Sequence, residues 1–290
     1  MKIAGFTFVR NAIKFDYPIV EAILSIEPLC HEIIVAVGNS DDNTLDLIKS
    51  IKSSKIRIVE TVWDDTLREG GRVLAIETDK AFAEISEDID WAIYIQGDEV
   101  LHEQDHQNLY AQLLRYKADN RVDGLLFDYK HFYGSYDYLG ASTRWYRNEI
   151  RAVKPNIGVK SYRDAQGFRK YGNKKLTVAK ANASIHHYGW VKSPRAQQLK
   201  QENFHKMWHK DQWVEENVIK SETFDYSGID ALVRFEGTHP KVMQERILKS
   251  NWVFSHDLSK NTVKFKDKFK FLIEKFFGFR PGEYQNYKMK

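Results

Sequence analysis

The chain has little cysteine and no long hydrophobic run, and each shortage excludes a class of protein. Its 290 residues contain a single cysteine, Cys30, which excludes an intramolecular disulfide and a zinc cluster built from several thiolates. No stretch approaches the roughly 18 consecutive apolar residues that a membrane-spanning helix needs. The sequence therefore predicts a cytoplasmic protein, in a reducing compartment, that does not cross a bilayer.

An excess of charge of one sign is also missing. The 44 Lys and Arg residues face 40 Asp and Glu residues, and the net charge of +4 is too small for a protein that binds nucleic acid by charge alone. Glycine and proline are few, at 16 and 6 residues, while 42% of the residues are hydrophobic, which excludes a disordered chain. We therefore expect one large or two modest globular domains and no nucleic-acid partner.

The first hundred residues alternate between two kinds of apolar segment. Short, β-rich runs alternate with segments whose apolar residues recur at helical spacing. The runs lie at 3–9, 33–37, 55–59 and 91–95, and the helical segments at 17–26, 45–51 and 69–85. Such alternation is typical of parallel strands with helices on both faces of the sheet.

The remainder of the chain changes character twice. Strands are predicted at 124–132, 143–153 and 176–187, and helices at 105–116, 193–220, 240–254 and 263–279. The middle part therefore indicates a mixed or antiparallel extension of the sheet, and the C-terminal third is predicted to be helical. We predict an α/β domain at 1–192, with a nucleotide-binding half at 1–100 and an acceptor half at 101–192, followed by a helical extension at 193–290.

Polar clusters follow three of the predicted strands. Arg10 and Asn11 follow the first strand, residues 38–44 the second, and residues 96–99 the fourth. The carboxyl ends of parallel strands meet at one edge of a sheet, where ligands bind. The carboxylates at this edge suit Mg²⁺ or Mn²⁺, which prefer oxygen ligands.

These carboxylates also have a structural interpretation. Asp41 and Asp42 are ordinary residues for the start of a helix, and for this pair capping and ligand binding both stay open. For Asp98, which directly follows a buried strand, we favour a role in the site.

A second polar cluster ends the last predicted strand, at residues 185–192 with the sequence IHHYGWVK. A neutral imidazole can complete a metal shell, and a lysine can neutralise phosphate charge. The alternative is that one of the two histidines, His186 and His187, faces the core and the other faces water.

The order of these segments resembles family 2 glycosyltransferases of the GT-A fold, over roughly residues 1–192. The family's stretch after the second strand reads approximately DDGSTDGT, and Asn39, Ser40, Asp42 and Thr44 fit it in register. Gly38 stands where the family usually has the acid that contacts the base. The resemblance implies an α/β GT-A fold with a mixed sheet flanked by helices, and an enzyme that transfers a sugar from a nucleotide diphosphate donor.

The family's DxD motif ends the fourth strand, and Gln96-Gly97-Asp98 keeps only its second carboxylate. By resemblance, Asp98 binds a divalent cation, Mn²⁺ or Mg²⁺, and Glu99 supports it as a further catalytic carboxylate. His187, Gly189 and Lys192 resemble the HxGxxK segment that closes the metal and diphosphate site. His187 is accordingly the second metal ligand.

The strand ends, the resemblance and the chemistry of arginine together give the remaining site candidates. The nucleotide-binding candidates are Asn11, Asn39, Ser40, Asp41, Asp42, Arg68, Arg72 and Lys192. The arginines are chosen because a guanidinium matches phosphate oxygens. Transfer with inversion needs a carboxylate that takes a proton from the acceptor hydroxyl, and Asp164 is the first candidate, with Glu149 behind it.

The expected partners are a nucleotide-sugar donor and a carbohydrate or lipid-linked acceptor, in glycan or polysaccharide synthesis. Aromatic side chains in the acceptor half offer flat faces to sugar rings, although such residues also build cores. They are Tyr133, Tyr136, Tyr138, Trp145, Tyr146 and Trp190.

Three other functions are weighed against this one. His102-Glu103-Gln104-Asp105-His106 matches the zinc hydrolase motif HExxH, which requires both histidines on one helix. A sugar nucleotidyltransferase would need a glycine-rich loop after the first strand, and residues 6–12 are not glycine-rich. A non-catalytic GT-A protein that binds glycans or partners is favoured by Gln96 and Gly38, where acids are lost.

The segment 260–280 predicts an amphipathic, basic helix. Phe265, Phe269, Leu272, Phe276 and Phe279 share one face, and seven Lys or Arg residues accompany two acids. This helix either docks its phenylalanines on the rest of the protein or holds the protein at the surface of an anionic membrane, at the inner membrane face.

Overall fold

The computed structural model describes residues 1–67, 70–209, 211–218 and 221–290. The helices are α1 Ile19–Ile26, α2 Thr44–Lys49, α3 Arg72–Ala83, α4 His106–Tyr116, α5 Pro194–Lys206, α6 Asp211–Asn217, α7 Gln244–Leu248 and α8 Phe265–Phe277. The strands are β1 Ile3–Val9, β2 Glu32–Gly38, β3 Ile56–Thr61, β4 Trp91–Tyr94, β5 Glu99–Leu101, β6 Gly124–Tyr133, β7 Tyr138–Gly140, β8 Asn148–Val153, β9 Val159–Tyr162, β10 Gly167–Lys170, β11 Lys174–Trp190, β12 Leu232–Arg234 and β13 Tyr287–Met289.

The strands form one mixed sheet with the order β3-β2-β1-β4-β8-β6-β11-β10-β9. β3, β2, β1 and β4 run parallel, as the alternation of strands and helices in the sequence predicts. β8 is antiparallel to both of its neighbours, and β6 and β11 run parallel beyond it. The predicted α/β fold with a mixed sheet is confirmed.

Helices cover both faces of the sheet because its strands carry apolar side chains on both faces. In β1, Ile3 packs in a core with Ile23 of α1 and Leu109 of α4. Phe6, which points to the opposite face, packs against Phe82 of α3 and Phe168 of β10. The two cores fix the carboxyl ends of β1 and β4 side by side.

The C-terminal part differs from the prediction. The helix predicted at 193–220 is two helices, α5 and α6, and the segment 240–254 contains a 3₁₀ turn at Lys241–Met243 followed by the short helix α7. The segment 193–290 also contains two short strands that the sequence does not predict, since β13 pairs with β11 and β12 pairs with β7. The buried side chain of Tyr287 explains the added strand, because it joins the core beside Leu176 and Val178 of β11.

One further strand was predicted too long, since the segment 143–153 is a strand only from Asn148 onward. Among the described residues, no helix combines the length and the apolar content needed to cross a membrane.

Candidate functional site

A cavity of about 870 Å³ opens at the carboxyl ends of β1 and β4. Arg10 and Asn11, which follow β1, and residues 96–98, which follow β4, line it together. Helix α5 supplies a further wall through Lys200 and Phe204. The prediction that these strand ends share one edge is therefore confirmed.

Asp98 is the most strongly held acid of the cavity. Its Oδ2 accepts a hydrogen bond from Lys200 Nζ at 2.9 Å, and its Oδ1 lies 3.8 Å from His187 Nε2. Burial alone raises the pKa of this carboxyl, but the positive charge of Lys200, followed by smaller effects of His187 and Lys192, outweighs it and holds the pKa well below its ordinary value. Asp98 is therefore an anion at neutral pH, paired with the ammonium of Lys200.

Gly189 makes this close approach possible. A Cβ atom at this position would lie 2.7 Å from His187 Nε2 and 2.8 Å from Asp98 Oδ2. Any larger residue would push the carboxylate and the imidazole apart. The steric limit at position 189 thus explains why the His-x-Gly segment has a glycine there.

A second histidine fixes the tautomer of His187. His131 Nε2 lies 2.7 Å from the carbonyl oxygen of Tyr146, which can only accept, so this nitrogen carries a proton. Burial, and then the neighbouring His187, lower the pKa of His131 to about 3, which leaves its Nδ1 as an acceptor. His187 Nδ1 lies 2.9 Å from that atom and must donate to it. The Nε2 lone pair of His187 therefore faces Asp98 and the cavity.

These two donors fit part of a divalent-cation shell. An imidazole whose second nitrogen is held by an outer partner is the usual arrangement of a histidine ligand. In the described part of the chain, no group of three or more His, Cys, Asp or Glu side chains is placed to hold a metal. Asp98 and His187 could thus bind a cation only together with ligands that arrive with a substrate.

Lys200, and not Lys192, supplies the amine of the cavity. Lys192 is fully buried, donates to the carbonyl oxygen of Asp16 and does not line the cavity. Lys200 bonds both Asp98 and the carbonyl oxygen of Gly189, the latter at 2.9 Å. The expectation that Lys192 faces the phosphates is not supported by this placement. Sequence reasoning missed Lys200, because it lies on α5, beyond the resembling segment.

Glu99 is buried away from the cavity. It accepts two hydrogen bonds from Arg151, both at 2.8 Å, and one from the Tyr129 hydroxyl at 2.6 Å. The backbone N–H of Gln96 donates to it at 3.1 Å. A catalytic role for Glu99 is therefore not supported: the residue holds the turn that presents Asp98.

Asp164 and Glu149, the two candidates for the catalytic base, also line the cavity. Asp164 lies in a turn whose flanking residues, Arg163 and Ala165, have φ values of 57° and 62°. Left-handed backbone at residues other than glycine is costly and clusters at functional sites. Burial raises the pKa of Asp164 above its ordinary value.

Glu149 is more deeply buried than Asp164. Gln166 donates to its Oε1 at 3.1 Å, and Oε2 has no hydrogen-bond partner among the described residues. Burial raises the pKa of Glu149 to about 8, against the lowering effect of Arg151. Glu149 is mostly protonated at neutral pH, whereas Asp164 is the more accessible acid.

The loops after β1 and β2 hold each other. Asn11 has a φ of 56° and lines the cavity, and its side-chain oxygen accepts from the N–H of Asp41 at 2.8 Å. Ser40 Oγ accepts from the N–H of Asn11 at 3.0 Å. Asp42 accepts from the N–H groups of Lys14 and Thr44 at 2.8 and 2.9 Å, so it holds the start of α2.

Of the five nucleotide-binding candidates in these loops, Asn11 and Asp41 line the cavity. Asn39, Ser40 and Asp42 do not line it. Asn39 is exposed and accepts from the N–H of Trp63 at 3.0 Å, so it orders the loop beyond β3.

Trp63 explains why residue 38 is glycine. A Cβ atom at Gly38 would collide with the indole ring of Trp63, which lines the cavity between Phe8 and Arg10. The guanidinium of Arg10 lies over this ring and forms an ion pair with Asp65 at 2.6 Å. Sequence reasoning missed this aromatic and cationic wall because Trp63 comes from a loop beyond β3.

The remaining predicted residues divide as follows. Arg72, at the start of α3, is exposed and does not line the cavity, and Arg68 lies outside the described residues. Of the six aromatic candidates, Tyr146 and Trp190 line the cavity, and Tyr133, Tyr136, Tyr138 and Trp145 do not.

The HExxH sequence does not form a metal site. His102 precedes a short 3₁₀ turn and bonds the Thr238 hydroxyl at 3.0 Å. His106 begins α4 and bonds the carbonyl oxygen of Ser25 at 2.8 Å. The two imidazoles are thus not on one helix, and the zinc hydrolase alternative is not supported.

Comparison with known proteins gives no family model and no curated protein that matches the chain. Solved structures match at low similarity. TarS from S. aureus is 14% identical with a TM-score of 0.41, over 77% of this chain and 41% of that chain. Glucosyl-3-phosphoglycerate synthase from Mycobacterium tuberculosis, solved with Mn²⁺, UDP and glucosyl-3-phosphoglycerate, is 23% identical with a TM-score of 0.29, over 46% and 44%. The chain thus spans less than half of the length of either protein.

A third match is 4-diphosphocytidyl-2C-methyl-D-erythritol synthase from Anaerococcus prevotii, 12% identical with a TM-score of 0.36, over 66% of this chain and 91% of that chain. These likenesses are too weak to indicate a function for this chain.

Proposed function

We propose that the protein is a glycosyltransferase of the GT-A type, which moves a sugar from a nucleoside diphosphate donor to a carbohydrate or lipid-linked acceptor. One observation carries this proposal. At the carboxyl edge of the parallel strands, Asp98, the lone pair of His187 and the ammonium of Lys200 meet in one cavity that Asp164 also lines.

The diphosphate of the donor would lie against Lys200. This lysine reaches the cavity from α5, and its charge is available to the oxygens of the departing diphosphate. Arg10 and Trp63 form the wall beyond β1 and β3, which suits the nucleoside, since a base can stack on an aromatic or guanidinium face.

Asp98 and His187 would hold a divalent cation, Mn²⁺ or Mg²⁺, together with the diphosphate oxygens. The facing Oδ1 and Nε2 atoms support this, and Lys200 occupies the other carboxylate oxygen. When bound, such a cation neutralises charge on the leaving diphosphate. Because Asp98 and His187 would fill only part of the cation's shell, we predict that the cation binds tightly only when the nucleotide is bound.

Asp164 would take the proton from the acceptor hydroxyl. Its carboxyl is the more accessible of the two acids, whereas the raised pKa of Glu149 keeps that group mostly protonated at neutral pH. Burial raises the pKa of Asp164, which makes its carboxylate a stronger base for the proton of the acceptor hydroxyl.

Isothermal titration with UDP, GDP, CDP and dTDP, each with and without Mn²⁺, tests the proposal. We expect one diphosphate to bind and Mn²⁺ to strengthen it. Asp98→Asn should weaken the Mn²⁺-dependent binding by at least about tenfold, because it removes the charged ligand. Asp257→Asn, at an exposed carboxylate outside the cavity, is the matched control.

Two results would contradict the proposal. Equal affinity of wild type and Asp98→Asn would remove the cation site. Failure of all four diphosphates to bind would favour a non-catalytic protein of the same fold.

A further inference from the structure

Helix α8 is oriented with its polar side toward the protein. Asp267 is buried and accepts a hydrogen bond from the Thr143 hydroxyl at 2.7 Å. Glu274 accepts from Arg147 at 2.7 Å and from Arg280 at 2.8 Å. Both acids of the helix thus face the rest of the chain, where Asp267 is hydrogen-bonded and Glu274 is ion-paired.

Its apolar side faces outward. Phe265, Phe269, Leu272 and Phe276 are 86%, 58%, 52% and 71% exposed. A helix that stabilises a globular core normally does the opposite. The expectation that these phenylalanines dock on the rest of the protein is therefore wrong.

Lysines flank this apolar ridge on both sides. At about 100° per residue, Lys268 and Lys275 fall on one side of the ridge and Lys266 falls on the other. All three are exposed, while both acids of the helix point inward. The outer surface of α8 thus combines phenylalanine and leucine with positive charge alone.

We propose that α8 lies in the headgroup region of an anionic lipid surface, with its phenylalanines toward the acyl chains and its lysines at the headgroups. An apolar ridge flanked by lysines is the pattern of a helix that lies in a membrane interface. The absence of exposed acid on this helix fits an anionic surface better than the mixed charges of a typical protein partner. With 13 residues, α8 is an interfacial element and not a spanning one.

The anchor would also orient the cavity. Arg147 joins α8 through Glu274 and follows Tyr146, which lines the cavity. Arg147 also pairs with Glu283 just beyond the helix. These ion pairs tie α8 rigidly to the strand region beside the site, so a bound membrane would lie beside the acceptor half.

Co-sedimentation of the full chain with lipid vesicles tests this inference without any nucleotide, so its failure is separate from failure of the proposed function. We expect binding to vesicles of phosphatidylcholine mixed with phosphatidylglycerol, little binding to phosphatidylcholine alone, and weakening by salt. Lys268→Gln with Lys275→Gln should weaken binding roughly thirtyfold. Phe269→Ser with Phe276→Ser should weaken it by about tenfold or more.

The matched control is Leu248→Ser with Val253→Ser. These side chains are 86% and 96% exposed but lie outside α8, so their replacement should leave vesicle binding unchanged. Circular dichroism should show that all three double variants keep the fold. Wild-type protein that does not bind the mixed vesicles overturns the inference, as does equal binding by Phe269→Ser with Phe276→Ser. Sedimentation equilibrium that shows self-association lost in the phenylalanine variant, without lipid binding, would assign the face to a second copy of the chain instead.

Discussion

The buried ion pair between Glu99 and Arg151 gives the sharpest prediction about stability. Both side chains are almost completely buried and share two hydrogen bonds of 2.8 Å. Glu99→Gln keeps the size of the side chain but leaves the Arg151 charge buried without its counter-ion. Breaking such a pair costs about 3–5 kcal/mol, because the remaining charge keeps its desolvation penalty.

Urea unfolding at neutral pH, followed by tryptophan fluorescence, measures this cost. Glu245→Gln is the control, since Glu245 pairs with Lys249 at the exposed surface and its loss should not shift the transition measurably. Replacing both Glu99 and Arg151 with Met should recover part of the stability lost in Glu99→Gln, because no unpaired charge then remains. A Glu99→Gln protein that unfolds at the same urea concentration as wild type would refute the assignment of Glu99 as a buried positioning residue.

Three further predictions concern the cavity wall. Gly189→Ala should reduce nucleotide affinity, measured by titration calorimetry, by at least about tenfold, because the added Cβ would displace Asp98. Circular dichroism should show that the variant keeps the fold. Unchanged affinity would contradict the close packing of Gly189 against Asp98 and His187. Gly38→Asp should lower the midpoint of thermal unfolding, because its side chain meets Trp63, and a protein as stable as wild type would show that the indole moves freely. The pKa of Glu149 is raised to about 8 in the folded state, so the folded protein binds the extra proton and stability falls as pH rises from about 4.5 to 8. Glu149→Gln should remove that part of the pH dependence, worth a few kcal/mol in urea titrations, and an identical pH profile would argue against the burial of this acid.

Much of the fold could be predicted because its signals are local. The alternation in residues 3–95 comes from strands buried on both faces and helices with one apolar face, and each pattern is readable over a short window. The C-terminal part was hard to predict because its structure depends on contacts between residues that are far apart in the chain. β13 is only three residues long, and it exists because Tyr287 finds space beside β11, which is more than a hundred residues away in the chain.

The site was predictable where a strand end placed it and not where a distant helix completed it. Asp98 and His187 follow strands and meet as expected. Lys192 and Lys200 are both near this point, but only the packing of α5 decides that Lys200 enters the cavity and that Lys192 is buried on Asp16. No spacing in the sequence carries that information.

Glu99 illustrates a different limit. Its position beside Asp98 predicts a shared role, yet adjacent residues after a strand point in different directions, and Glu99 points to Arg151 in the core.

The orientation of α8 could not be predicted either. Its amphipathic pattern is plain in the sequence, but whether the apolar side faces a core or the outside depends on the contacts of Asp267 and Glu274.

Crystals of the protein grown with Mn²⁺ and the diphosphate that binds most tightly would test the central claim most directly, through an anomalous difference map recorded for manganese. We predict one strong manganese peak between the Asp98 carboxylate and His187 Nε2. The diphosphate oxygens should contact the same manganese ion, with Lys200 beside these oxygens. A nucleotide bound elsewhere, or a manganese peak that does not touch Asp98, would contradict the proposal that this cavity binds the sugar donor.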